Sequence, residues 1–130
     1  MKHSLLTITM IPLLLISFLT VAEDKQQYRV VISFASVCCG INADDNAAID
    51  RYIQDYQTRH NLFLEVILGS YGDEGDFNYC FQLNELNKQH QVSFIAGLKK
   101  TLSEQKQSST RSSNSGVSWV TEHGTCLGYE

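Results

Sequence analysis

Between Tyr28 and Leu102 the apolar residues switch repeatedly from a period of two to a helical period and back, and this limits the folds open to the chain more than any other feature. Over 28–36, Tyr28, Val30, Ile32 and Phe34 recur at every second residue, which sets them on one face of a strand. Val31 and Ala35 make the other face partly apolar, as suits a strand inside a sheet. Over 43–59, Ile49, Tyr52, Ile53 and Tyr56 recur at helical spacing. Asn42 is placed to cap that helix, with Asp44 and Asp45 facing the positive end of its dipole. His60-Asn61 ends it, because asparagine tolerates the left-handed conformation.

Period two returns over 62–68, with Leu62, Leu64, Val66 and Leu68 on one face. It returns again over 77–83, where Phe77, Tyr79, Phe81 and Leu83 alternate with Asn78, Cys80 and Gln82. A glycine-rich acidic loop, 69–76, joins the two runs into an antiparallel hairpin. A second helix is expected over 88–105, turning Val92, Ile95, Leu98 and Leu102 inward and Lys99 and Lys100 outward. Gly97 inside it costs roughly 1 kcal/mol relative to alanine. Residues 108–116 are serine-rich and read as a linker within a tail, 108–130, that carries a further short strand at 117–121 around Trp119. The order β-α-β-β-α, with an optional last strand, predicts an α+β domain over 23–107. A right-handed crossover and a hairpin give a small antiparallel sheet with two helices on one face, the ferredoxin-like split β-α-β.

Ahead of this domain, Met1-Lys2-His3 is a short basic start, residues 5–21 are almost wholly apolar, and Thr20-Val21-Ala22 ends in a small residue before Glu23-Asp24-Lys25. That order is what a secretory signal peptide requires, and it predicts cleavage after Ala22. An uncleaved membrane anchor is the competing reading, because the run is close to a bilayer's span. Pro12 inside the run, the brief flanks and Ala22 favour cleavage, and the absence of a cysteine after Ala22 disfavours lipid attachment. The mature chain is then secreted or periplasmic, with no stable membrane anchor, and it lacks proline, since Pro12 is the only one. With 10 basic against 14 acidic residues and a net charge of −4, the chain has no basic face for nucleic acid.

Four cysteines, Cys38, Cys39, Cys80 and Cys126, in an exported chain read first as two disulfides. Adjacent residues lie about 3.8 Å apart at Cα, below the roughly 4.4 Å of relaxed bridges, which disfavours Cys38–Cys39. If the first strand's pleat continues to Cys39, that residue meets Cys80 on the face away from the aromatic stripe, leaving Cys38 for Cys126. A loop of some forty residues closed in this way contributes roughly 4 kcal/mol. One element conflicts: if 117–121 pairs with the first strand, Cys126 falls near that strand's beginning, far from Cys38.

Two other chemistries compete for these thiols. Strand, cysteines, then a helix N-terminus is where oxidoreductases place a thiolate. Against this stand the Cys-Cys spacing, the lack of a proline to sit beside the thiols, and Asp44 and Asp45, whose charge would raise a nearby thiol's pKa. Soft-metal binding would draw on the cysteines with His60, His90 and His123, but none has a local clip spacing and no metal or other cofactor is expected.

Tyr71, Asp73, Glu74 and Asp76 crowd carboxylates and an aromatic ring onto the hairpin loop. Their spacing is not that of an EF-hand, so calcium is disfavoured, and the loop suits a basic groove on another protein. No Gly-x-Ser-x-Gly, phosphate loop or His-Glu-x-x-His occurs, and Ser36 has no base nearby in sequence, so no catalytic residue is assigned. The sequence therefore points to a small, exported, disulfide-stabilised binding protein whose partner is another protein: an inhibitor, an immunity-type protein or an accessory subunit. Thiol redox or soft-metal binding at Cys38 and Cys39 is the alternative.

Overall fold

A computed structural model describes residues 25–108 and 116–129. The expected signal peptide, 1–22, and residues 109–115 of the expected linker lie outside the described residues. The chain runs β1 (Gln27–Ala35), α1 (Ala43–His60), β2 (Ile67–Tyr71), β3 (Asp76–Phe81), α2 (Lys88–Ser108) and β4 (Val117–Thr125). The strands form one sheet in the order β2-β3-β1-β4, with every neighbouring pair antiparallel. β3 lies between β1 and β2, so the crossover through α1 leaves a gap that the returning hairpin fills.

The core is where the two periods meet. Val30, Ile32 and Phe34 of β1 and Phe81 of β3 pack in one cluster with Ile49 and Tyr56 of α1 and with Phe94, Ile95, Leu98 and Leu102 of α2. Both helices thus cover one face of the sheet. The opposite face carries a separate cluster of Tyr28, Val31, Cys80 and Cys126, with Ile67 packed against it. The α1 cap is as expected: the Asn42 carboxamide oxygen accepts from the Asp44 and Asp45 amides, and Asn61 ends the helix at φ 48°.

The structure corrects four expectations. The strand expected at 62–68 starts only at Ile67, because the chain leaving Asn61 is held first by α1: the Leu62 amide donates to the Gln57 carbonyl and the Leu64 amide to Gln57 Oε1. Leu64 drops into the core, whereas Val66 and Leu68 remain 42% and 57% exposed. The loop shrinks accordingly, since β2 continues through Tyr71 and pairs it with Asp76, leaving 72–75 as the turn. In α2 the inward stripe begins at Phe94; Val92 is 61% exposed. The last strand extends past 121 to Thr125 and is an integral edge of the sheet, paired along β1 from Ala35↔Val117 to Gln27↔Thr125.

Candidate functional site

The hairpin and the cysteine loop, separate in sequence, meet at one end of the sheet. The strand β1 ends at Ala35, and the Ser36 amide donates to Asp76 Oδ1 at 2.7 Å, tying the loop 36–42 to the base of the hairpin. The Gly40 amide then donates to Ser36 Oγ at 2.9 Å, which closes the loop into a compact bend, with Gly40 at φ 104°, a conformation that glycine adopts without steric cost. The antiparallel β4 starts at the same end, where Gly116 lies against Ala35, Ile41 and Asn42 so closely that no side chain would fit.

Of the acidic-loop residues, Asp73 and Glu74 are exposed in the turn. Asp76 is committed to the Ser36 amide and has a positioning role. Tyr71 ends β2 opposite Asp76: burial and the Asp76 charge raise its pKa, and a hydrogen bond with Ser33 opposes them. Ser33 pairs across the sheet with Trp119, which is 42% exposed, as is Val117, and Val37 in the loop is 57% exposed. Sequence reasoning named the carboxylates but missed this apolar set, because the exposure of Val117 and Trp119 depends on which strand forms the sheet's edge and that of Val37 on where β1 stops. Asp44 at the start of α1 adds a further exposed carboxylate, and no lysine or arginine occurs in 30–50, 60–87 or 112–130.

The cysteines pair as Cys38–Cys39 and Cys80–Cys126, not as Cys39–Cys80 and Cys38–Cys126. The cause is register. Phe34 pairs with Phe77, and β1 stops at Ala35, so Cys39 never reaches Cys80, which lies opposite Val31. The antiparallel β4 instead delivers Cys126 to the beginning of β1, where β3 ends, at a Cα separation of 5.8 Å from Cys80. Beyond Cys126 the tail crosses the helix-free face. Asn78 Nδ2 donates to the Leu127 carbonyl at 3.2 Å, and Gly69 and Gly128 give the room for main chain to lie on main chain. Cys38 and Cys39 are both exposed, as adjacent residues of a loop.

His60 and His90 approach each other from the end of α1 and the start of α2, with ring centroids 5.4 Å apart. His123 lies in β4, away from any such grouping, and Cys126 is committed to Cys80. Among the described residues no group of three or more His, Cys, Asp or Glu is placed to hold a metal ion, and no helix is long and apolar enough to cross a membrane. Comparison of the chain with known protein families, with curated proteins and with solved structures finds no match.

Proposed function

We propose that the protein is an exported binding domain, acting as an inhibitor, immunity-type protein or accessory subunit, and that it engages a basic protein partner with the end of the sheet formed by 36–42, the 72–75 turn and the start of β4. The observation that carries this reading is the bond from the Ser36 amide to Asp76. It gathers Asp73 and Glu74 beside a rim that exposes Val37, Val117 and Trp119. An aromatic and aliphatic patch rimmed by charge of one sign suits a partner of opposite sign, with the apolar contacts supplying affinity and the charges steering encounter. The two disulfides are compatible with an oxidising compartment and with export after cleavage at Ala22. The strand order β2-β3-β1-β4 supports the ferredoxin-like reading of the fold.

The test is site-specific photocrosslinking in the exporting cell. A photoreactive residue in place of Trp119 should give one discrete protein adduct, and one in place of Lys106 on α2 should give none. Asp73→Lys combined with Glu74→Lys should abolish the Trp119 adduct. Equal labelling from both positions, or an adduct indifferent to the charge reversal, would remove this surface as the binding site.

One observation favours a second reading. A bridge between neighbours closes almost no chain, so Cys38–Cys39 is a poor staple, and it stands exposed directly before the α1 N-terminus. As a thiol-redox site it would accept two electrons and two protons from an external dithiol. The dithiol's thiolate would attack one sulfur, its second thiol would resolve the mixed disulfide, and Cys38 and Cys39 would leave as thiols. Turnover of a dithiol–disulfide couple that is lost in Cys38→Ser with Cys39→Ser would establish it; an unchanged rate in that variant would exclude it.

A further inference from the structure

At the opposite end of the sheet from the proposed partner surface, on the face the helices leave open, lies a cleft of about 290 Å³. Its floor is Ile67 with Cys80, the strand end of the Cys80–Cys126 bridge. Its walls carry Tyr28, Tyr129, Glu65 and Glu85. The register explains why they converge: Tyr28 opens β1, Glu65 precedes β2, Glu85 follows β3, and these are the ends that an antiparallel β1–β3 pair and a β2–β3 hairpin bring together. The bridge then brings the tail, and with it Tyr129, over the same spot.

Tyr28 gives the cleft its character. The residue is 4% exposed, yet its hydroxyl has no hydrogen-bond partner among the described residues and looks into the cleft toward Tyr129 and Glu65. The ring is buried, but the hydroxyl is not among the buried polar atoms that lack a partner, so it opens onto the cleft where a ligand can reach it. Burial first, then the nearby Tyr129 and Glu65, raise its pKa, so it stays a neutral donor and acceptor. Glu85 already accepts the Glu65 backbone amide through Oε1 at 2.8 Å, which orders the second carboxylate without consuming the first. No lysine or arginine lines the cleft.

We propose that this cleft binds a single cationic headgroup, an alkylguanidinium or alkylammonium, held by Glu65 and Glu85, hydrogen-bonded to the Tyr28 hydroxyl and covered by the Tyr129 ring. Two acidic side chains would pair with the charge, the ring faces would add a cation–π contribution, and the alkyl stem would lie on Ile67 and the disulfide. The size agrees. The cleft falls at the bottom of the range for small-molecule sites, enough for one long side chain or one small amine. The inference stands apart from the partner surface, which uses different residues at the other end of the sheet.

The test is an NMR titration of the disulfide-intact protein with n-butylguanidinium, with n-butylurea as the uncharged probe of the same shape. Guanidinium should give saturable shifts at Tyr28, Glu65 and Tyr129 with a dissociation constant on the order of millimolar, as expected for so few atoms, and butylurea should give none. Glu65→Gln, at an exposed position whose structural bond is made by its main chain, should weaken binding about tenfold. Tyr28→Phe should weaken it by a smaller factor. A peptide Gly-Arg-Gly with blocked ends tells the sources apart: binding as tight as that of the free probe assigns the site to a protein side chain, and exclusion assigns it to a free amine. Equal shifts from guanidinium and urea, no saturable shift from guanidinium, or indifference to Glu65→Gln would overturn the proposal.

Discussion

Gly97 lies in the middle of α2, where glycine costs roughly 1 kcal/mol, and the reason lies in the neighbouring helix. A Cβ there would run into the Tyr52 hydroxyl, which donates to the Phe94 carbonyl at 3.0 Å, and the Tyr52 ring lies tilted against that of Phe94, 5.6 Å between centroids. Gly97→Ala therefore gains helix propensity and loses packing. Overpacking of a well-filled contact costs more, about 1–3 kcal/mol, so the variant is expected to be less stable by about 1 kcal/mol in urea unfolding. A gain in stability would show that Tyr52 can move aside. Glu122 supplies a pH-dependent counterpart. Hydrogen bonds from Lys99 at 2.6 Å and from Arg29 at 2.8 Å hold its pKa down, from 4.5 to about 2. Its contribution is therefore present above pH 4.5 and lost as the pH falls toward about 2. The side chain is 37% exposed, so solvent screening keeps the contribution below about 1 kcal/mol. Glu122→Gln should lower the urea midpoint slightly at neutral pH, and the difference from the parent should vanish across that acid window.

Among the elements, the two bridges make opposite predictions. Cys80–Cys126 spans a sequence separation of 46 and fixes the tail across the sheet, so replacing both residues with alanine should cost about 4 kcal/mol in the chain-entropy picture. Cys38–Cys39 spans a separation of 1, and the corresponding double alanine variant should cost about 1 kcal/mol or less. Thermal unfolding of the two variants compares them directly, and similar losses would contradict the division into staple and exposed loop. That pairing also marks how far the sequence could be read. The element order, the Asn42 and Asn61 caps and the split in β3 between Phe77, Tyr79 and Phe81 on one side and Cys80 on the other follow from local periodicity and capping chemistry. The disulfide partners depend on where β1 stops and on the offset between β1 and β3, and a run of alternating residues does not encode its own end. Val92 shows the same limit in a helix. The stripe that holds Ile95, Leu98 and Leu102 admits either Val92 or Phe94 at its start, and packing against Tyr52 and Tyr56 selects the aromatic ring. The apolar rim around Trp119 was illegible for a related reason, since edge position is a property of the assembled sheet.

Over the whole molecule, charge is unevenly distributed. Lys88, Lys99, Lys100 and Lys106 lie on α2, while Glu65, Asp73, Glu74 and Glu85 lie on the strand connections, which carry no lysine or arginine between Arg59 and Lys88. The proposed basic partner, approaching the 72–75 end, would be steered by Asp73 and Glu74, so its association rate should fall with added salt while its dissociation rate changes little; a salt-independent association rate would argue for a purely apolar interface. Both proposed sites depend on one architecture, in which the tail is stapled over the open face of the sheet and the adjacent cysteine pair is left at the end proposed to meet the partner. Disulfide mapping by mass spectrometry on the protein recovered after export tests that architecture most directly. The account predicts a chain beginning at Glu23, no alkylatable thiol before reduction, Cys80 linked to Cys126, and Cys38 linked to Cys39 within one peptide. A retained Met1, a free thiol, or a Cys39–Cys80 link would contradict it.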